Sequence, residues 1–259
     1  MATDGKHRRL WWKWLGLAAL CLMLGIVLFL TVAWHAMRSH DFRYASGAKQ
    51  LGLILNMYAY DTGAYPLLSS RPGRLMFETA SLEPDYLPVE PYIFISPADT
   101  AMIEADSKGN DYCFNHGSYH YLGYAVGDDD SVLAFAEAYK KRLLDGGSFD
   151  SDLAVDRPYE SIKRLVHENH SAAQSHVAGH SEGEFPLLIE RPRPYPGMLG
   201  LWLFGPVIPL SPSLMGGCVV YLDGHMEFLD YPGKWPMTAT TMQALAALES
   251  ERNRLTDTR

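Results

Sequence analysis

The stretch Cys218–Leu229, CVVYLDGHMEFL, carries the sharpest structural signal in the chain. Two runs rich in β-branched and aromatic residues flank Asp223-Gly224, a dipeptide that favours the positive φ angles of a tight hairpin turn. The pattern predicts an antiparallel hairpin closed by a two-residue type I′ turn. Asp223, Gly224 and His225 are its expected structural residues, with His225 bonding near the turn.

On the C-terminal side of this hairpin, apolar residues recur at helical spacing: Met242, Leu245 and Leu248. Thr238 precedes them, and a threonine side chain can accept a hydrogen bond from the first turn of a helix. The sequence therefore predicts a C-terminal helix capped by Thr238.

On its N-terminal side, two segments are rich in strand-forming residues, 119–126 (YHYLGYAV) and 185–190 (FPLLIE). Between them, residues 128–131 (DDDS) precede an apolar helical pattern that ends in basic residues. Acidic groups at the start of a helix and basic groups at its end both stabilise it. We expect a capped helix there and another helix over 159–170.

Near the N-terminus, the 20 residues from Leu15 to Trp34 (LGLAALCLMLGIVLFLTVAW) contain no charge. At about 1.5 Å per residue they span roughly 30 Å, the thickness of a bilayer's hydrocarbon. Tryptophans flank the run, and basic residues precede it. It predicts a transmembrane helix at 15–34, with membrane lipid as its partner. The alternative is a cleaved signal peptide ending at Thr31-Val32-Ala33.

Beyond this run the helical pattern continues. Apolar residues recur at alternating spacings of four and three, which places them on one face of a helix. They are Tyr44, Ala48, Leu51, Leu55 and Tyr58. Gly63 follows Thr62 and can adopt the left-handed conformation that ends a helix. We expect a helical stem over 35–63 that is continuous with the preceding helix.

These segments divide the chain into a basic and aromatic cytoplasmic tip (1–14), a transmembrane helix (15–34), a stem (35–63) and a globular domain (64–259), with a helical insertion at about 130–184. The fold class is α+β: a long N-terminal helix packed on a small antiparallel sheet, with a C-terminal helix. The expected location is the bacterial inner membrane, with the domain on the extracytoplasmic side.

The net charge of −8 argues against nucleic acid as a partner, because phosphate binding needs clustered Lys and Arg. Of the three cysteines, Cys21 lies in the apolar run. Cys113 and Cys218 either form one disulfide or remain two buried thiols.

Three stretches together resemble the type IV pilin-like proteins: AKQLGLILNMYAYDTGAYP, SYHYLGY and VVYLDGHMEFLDYPGKWPMT. The nearest group is the pseudopilins of type II secretion and their relatives with a C-terminal Asp-Gly-His hairpin. The resemblance implies a long helix packed on a sheet. It also implies a non-enzymatic protein linked to secretion or surface assembly, whose partners are other pilin-like or secretion subunits.

Two features depart from that family. Gly16 is followed by LAALC, and the apolar run holds no glutamate, so a recognisable prepilin peptidase site is absent. The missing glutamate normally helps neighbouring subunits align in a filament. In addition, Ser213 stands where many of the group have His, and Ser96 where Cys often precedes Pro-Ala-Asp.

Two clusters are candidate metal sites. The stretch HENHSAAQSHVAGH supplies His167, His170, His176 and His180, which either ligate zinc or another divalent metal or form a solvated polar segment. Asp128, Asp129 and Asp130 offer hard oxygen ligands. Major pseudopilins bind calcium, so the resemblance raises that role for them; the alternative is a helix N-terminus using negative charge.

The sequence contains no Gly-x-Ser-x-Gly and no phosphate-binding glycine loop, and nothing selects a catalytic pair. We therefore expect a non-enzymatic pilin-like protein. The alternative is a membrane-anchored periplasmic protein that binds a metal or ligand through its His-rich insertion.

Overall fold

The computed structural model describes part of the chain. The described residues are 4–68, 75, 77, 81–82, 85–86, 91–96, 117–146, 148–155, 162, 164–166, 176–177, 180–194 and 215–257.

The N-terminal part is one continuous helix, α1, which runs from Asp4 to Thr62 over 59 residues. It joins the expected tip, apolar run and stem into a single element. The predicted stop is observed: Gly63 has a φ of +82°, and its N–H donates to the Ala59 carbonyl at 2.9 Å. Glycine fits here because a left-handed residue closes the last turn without a Cβ clash.

The predicted transmembrane helix at 15–34 is wrong. Among the residues that the structure describes, no helix combines the length and the apolar character needed to cross a membrane. The run lies within α1, which is continuous on both sides of it. The transmembrane part of the expected fold class and the single-pass inner-membrane location are corrected with it.

In the described part of the chain, seven strands and two further helices follow α1. The strands are β1 (Tyr119–Tyr121), β2 (His176–Val177), β3 (His180–Ser181), β4 (Pro186–Glu190), β5 (Arg193–Pro194), β6 (Met215–Tyr221) and β7 (Met226–Tyr231). The helices are α2 (Asp129–Leu144) and α3 (Ala239–Asp257). Short 3-10 helices cover Pro91–Phe94 and Glu182–Glu184.

The main sheet is antiparallel and has five strands, in the order β1-β4-β6-β5, with β7 paired along β6. Both β4 and β5 lie on the same side of β6, at successive positions along it. The strands β2 and β3 form a separate two-stranded ladder. The described residues thus form an α+β fold around one main sheet.

The stem half of α1 packs on one face of this sheet. Leu51 and Leu55 are fully buried. A Cβ at Gly52 would lie 2.6 Å from Cγ1 of Val220 in β6, a distance that real Cβ atoms do not show. Glycine at this position therefore lets the helix lie close against the strand.

The opposite face of the sheet is covered by the C-terminal part of the chain, which includes α3. Successive strand residues point to opposite faces of the sheet. Gly217 lies on the face opposite Val220, and a Cβ at Gly217 would lie 2.9 Å from Cε of Met237. From α3, Glu249 reaches Arg191 beside β4. In turn α2 contacts α3, where Arg252 Nη1 donates to the Tyr139 hydroxyl at 2.5 Å.

Two local predictions differ from the structure. The expected strand 119–126 ends at Tyr121, because Gly123 turns the chain with a φ of +66° and packs against the Tyr121 ring. The described residues of the expected helix 159–170 are not helical. Instead, Arg164 pairs with Tyr124 and Val166 pairs with Ala64, so backbone pairing with distant segments overrides the local helical pattern.

Candidate functional site

The most unusual described surface lies on the N-terminal half of α1. Between Trp14 and Phe29, large apolar side chains are 38–68% exposed. They are Trp14, Leu15, Leu17, Leu20, Leu22, Met23, Leu24, Ile26, Val27, Leu28 and Phe29. We call residues 14–29 the apolar segment. Cys21 lies within it as an exposed free thiol.

The same helix is amphipathic in its second half. There the side chains facing the sheet are fully buried, and they are Ala48, Leu51, Leu55 and Ala59. The apolar segment, by contrast, is exposed on consecutive positions around the helix. Contiguous apolar surfaces larger than a few hundred Å² are rare on monomeric soluble proteins and mark interaction sites. This segment is therefore the strongest candidate for a functional surface.

The β6–β7 hairpin turn holds the Asp-Gly-His motif. The Gly224 N–H donates to the Tyr221 carbonyl at 2.9 Å, and the Tyr221 N–H donates to the His225 carbonyl at 3.0 Å. This pattern makes a three-residue loop, Leu222–Gly224, with a bulge at Gly224 (φ +82°). The two-residue type I′ turn expected from the sequence is thus replaced by a longer one.

Asp223 and His225 form a local pair within that turn. The Asp223 Oδ1 atom accepts from the His225 backbone N–H at 2.9 Å and lies 2.6 Å from His225 Nδ1. The imidazole ring stacks on Tyr221, with ring centroids 4.3 Å apart. Both side chains of the pair are partly exposed.

The turn also contacts two other elements. A Cβ at Gly183 would lie 3.0 Å from Asp223 Oδ2, so the 3-10 helix Glu182–Glu184 sits directly against the carboxylate. The side-chain nitrogen of Asn56 in α1 lies near Gly224. The side-chain oxygen of Asn56 accepts from the Tyr65 hydroxyl at 2.6 Å. The motif therefore joins the hairpin to α1 and to the segment before β4.

The acidic run is used largely at a helix junction. Asp128 caps α2, because its side chain accepts from the Ser131 N–H at 2.8 Å. In return, the Ser131 hydroxyl oxygen accepts from the Asp128 backbone N–H at 3.1 Å. Asp129 Oδ1 accepts from the hydroxyls of Thr238 and Thr241 at the start of α3. Asp130 is exposed. The calcium hypothesis for Asp128, Asp129 and Asp130 stays a prediction.

The histidine cluster is described only in part. His167 and His170 lie outside the described residues, as do Cys113, His116 and Ser213. His176 and His180 lie on β2 and β3, where Val177 pairs with His180 and His176 with Ser181. Within the described part of the chain, no group of three or more His, Cys, Asp or Glu is placed to hold a metal ion. Zinc binding through this cluster stays a prediction.

Comparisons of this chain with models of protein families, with curated proteins and with solved structures find no match.

Sequence reasoning missed a polar cluster beneath α3. Glu249 binds Arg191 Nη2 and lies 3.5 Å from Nδ1 of the buried His120. The buried carboxylate of Glu190 accepts from the Cys218 N–H at 2.8 Å. These groups come from β1, β4, β6 and α3, and no local motif marks them. Only the strand register, which places His120 opposite Ile189, brings them together.

Cys218 is buried in β6. Cys113 lies outside the described residues, so both alternatives for these two cysteines, one disulfide or two thiols, stay predictions.

Proposed function

We propose that this chain is a non-enzymatic, pilin-like subunit that assembles with copies of itself, or with other pilin-like or secretion subunits, through its N-terminal helix. The observation that carries the proposal is the division of α1. Its second half packs on the sheet through Leu51 and Leu55, whereas its apolar segment exposes large side chains.

Association of this segment with other helices follows from its physical chemistry. Burying apolar surface is favourable by roughly 25 cal/mol per Å², and helices pack with their axes about 8–10 Å apart. Because the apolar segment is uncharged and exposed on consecutive positions, it can accept neighbours on several sides. A second copy offers the same uncharged surface and is the simplest partner.

The resemblance supports the same reading. Pilin-like subunits combine a long N-terminal helix with a small antiparallel sheet, and α1 and the β1-β4-β6 sheet have that arrangement. The run lacks the glutamate that helps family members align. Side-chain packing must then set the register between copies of this chain.

Cys21 provides a direct test, because it is an exposed thiol inside the apolar segment. Cells that produce the full chain are treated with a short bis-maleimide, and the products are separated under denaturing conditions. We expect covalent dimers linked through the Cys21-containing peptide. Cys21→Ser is the matched control and should remove them. A strictly monomeric pattern in the wild-type chain would overturn the proposal.

A charge placed in the segment tests the role of its apolar character. Leu24→Arg should lower the cross-linked fraction at least tenfold, because an unpaired guanidinium between packed helices is costly to bury. Leu133→Arg is the matched control, since Leu133 is an exposed leucine on α2. It should leave the cross-linked fraction as it is. Equal effects of the two substitutions would count against assembly through α1.

A further inference from the structure

His120 on β1 is a buried member of the polar cluster beneath α3. Its side chain is only 3% exposed, and its Nδ1 atom lies 3.5 Å from Oε1 of Glu249. The neighbouring residue, Tyr119, projects toward α1, because a Cβ at Gly47 would lie 3.7 Å from the Tyr119 hydroxyl. Successive strand residues point to opposite faces of a sheet. His120 therefore lies on the face that α3 covers.

We propose that His120 is an acid-sensitive switch for the position of α3. The helix packs on the sheet while the imidazole is neutral, and it separates from the sheet once the imidazole is protonated. A histidine in an unfolded chain gains its proton near pH 6.5, so the separation occurs in mildly acidic solution. This switch is independent of assembly through α1.

The carboxylate beside His120 is shared with a permanent cation. Glu249 Oε1, the atom that faces His120 Nδ1, is also bonded by Nη2 of Arg191. An arginine side chain keeps its charge throughout the pH range of folded proteins. A protonated His120 would compete with Arg191 for one oxygen, and the two cations would repel each other. The attraction of Glu249 for an imidazolium is reduced accordingly.

A second arginine lies on the same side of α3. Arg252 is 2% exposed and follows Glu249 by three positions, which places both side chains on one helix face. Its Nη1 atom donates to the Tyr139 hydroxyl of α2. Among the described residues, the ionisable groups of this cluster around His120 are those of Glu249 and Arg252 in α3, Arg191 after β4 and Tyr139 in α2.

Burial determines the direction of the response to acid. Loss of hydration disfavours a charged side chain, and for fully buried groups the effect reaches about 3–5 pH units. An opposite charge nearby acts the other way by about 1–3 pH units, but Arg191 already takes part of the Glu249 charge. The folded chain therefore binds the His120 proton less readily than the unfolded chain does. The packing of α3 is fully stable above about pH 6.5 and weakens as the pH falls below it.

Separation of α3 would change which surface of the sheet is accessible. Asp129 of α2 accepts from the Thr241 hydroxyl of α3 at 2.6 Å, so the two helices leave the sheet together. Strand register places His120 opposite Ile189, and Ile189 opposite Val219. Both of these apolar side chains are fully buried. The switch thus converts a covered apolar face into an accessible one.

Hydrogen exchange of the full chain, read by mass spectrometry at about pH 7.5 and about pH 5, measures the separation. Protection factors are corrected for the effect of pH on intrinsic exchange and are compared for peptides from α3 and from β6. A folded state that keeps His120 neutral is disfavoured about tenfold for each pH unit below about 6.5. In the native chain we expect the protection of α3 to fall at least tenfold, while that of β6 stays within about twofold.

Two neutral variants and one control assign the response to His120. His120→Asn removes the titrating ring but keeps a polar side chain beside Glu249, and His120→Gln is a second neutral replacement for use if the first does not fold. In either variant the protection of α3 should agree between the two pH values within about twofold. His225→Asn is the matched control, because the His225 side chain is 45% exposed on the hairpin turn. It should keep the full acid response.

Three results would overturn the switch. The first is protection of α3 in the native chain that is unchanged or higher at the lower pH. The second is a fall in His120→Asn as large as in the native chain. The third is an equal fall in α3 and β6, which would show that acid unfolds the whole domain. None of these results bears on the proposed assembly, which the Cys21 cross-linking tests separately.

Discussion

Asp129 at the start of α2 accepts a hydrogen bond of 2.6 Å from the hydroxyl of the fully buried Thr241 in α3. The same carboxylate oxygen accepts from Thr238, whose hydroxyl also caps α3 by accepting from the Thr241 N–H at 3.1 Å. One acidic side chain thus lies at the N-termini of two helices, where negative charge is stabilising. The junction fixes α3 relative to α2.

Asp129→Ala should destabilise the protein by about 1–3 kcal/mol, because it leaves the buried Thr241 hydroxyl without its acceptor. Urea unfolding followed by circular dichroism measures the change. Asp130→Ala is the matched control: Asp130 is the exposed neighbour, and its loss should change the unfolding free energy little. Similar losses for both variants would show that general helix charge, and not this contact, accounts for the effect.

The parts of the fold that sequence could predict are those with local causes. The stop at Gly63, the Asp128 cap and the 218–229 hairpin each depend on residues a few positions apart. The length of the hairpin turn could not be predicted from these local residues. Asp-Gly suits both the two-residue turn that was expected and the three-residue loop that forms.

What sequence could not show depends on strand register and distant packing. Arg191 and Glu249 are 58 residues apart, and Thr241 and Asp129 are 112 apart. No spacing rule links such pairs. The apolar run at 15–34 shows a different limit: its continuity with the stem was predicted and is confirmed by α1, whereas the transmembrane span predicted from its composition was wrong.

Alkaline pH should destabilise the fold between about pH 10 and 12. Burial raises the pKa of Tyr139 to about 12, although Arg252 beside it acts in the opposite direction. Burial also raises the pKa values of Tyr119 and Tyr121. An unfolded chain ionises its tyrosines near pH 10. The stabilisation is therefore complete below about pH 10 and is lost as the pH rises toward the folded pKa.

The measurement is urea unfolding from pH 8 to 11, with tyrosinate absorbance recorded in parallel. In Tyr139→Phe the decline in unfolding free energy above about pH 10 should be shallower than in the native chain, since one ionising group is gone. Tyr60→Phe is the control, because Tyr60 is 68% exposed. An unfolding free energy that stays constant up to pH 11 would contradict the prediction.

The hairpin turn should tolerate substitutions at Gly224 in a defined order. Its φ of +82° is a conformation that asparagine adopts more readily than alanine. We expect Gly224→Ala to cost about 1–3 kcal/mol and Gly224→Asn to cost less. Thermal unfolding measures both. Equal losses for Ala and Asn would indicate that space against Asn56, and not backbone strain, limits this position.

Two glutamates of α3 allow a matched comparison of a partly buried and an exposed ion pair. Glu249 and its partner Arg191 have side chains only 15% and 21% exposed, whereas Arg254, the partner of Glu251, is 62% exposed. Removing one member of a pair that is largely shielded from solvent leaves the other charge without compensation. Glu249→Ala should therefore destabilise the protein by about 2–4 kcal/mol. Glu251→Ala should have little effect, because solvent screens an exposed pair.

The same variants separate the electrostatic effect from a packing effect. Glu249→Gln keeps the shape of the side chain but removes its charge, so it should recover only part of the stability lost in Glu249→Ala. In urea titrations, the order of unfolding midpoints should be native, then Glu249→Gln, then Glu249→Ala. If Glu249→Gln matched the native chain, hydrogen bonding to Arg191 would suffice, and the charge of Glu249 would not hold α3 to the sheet.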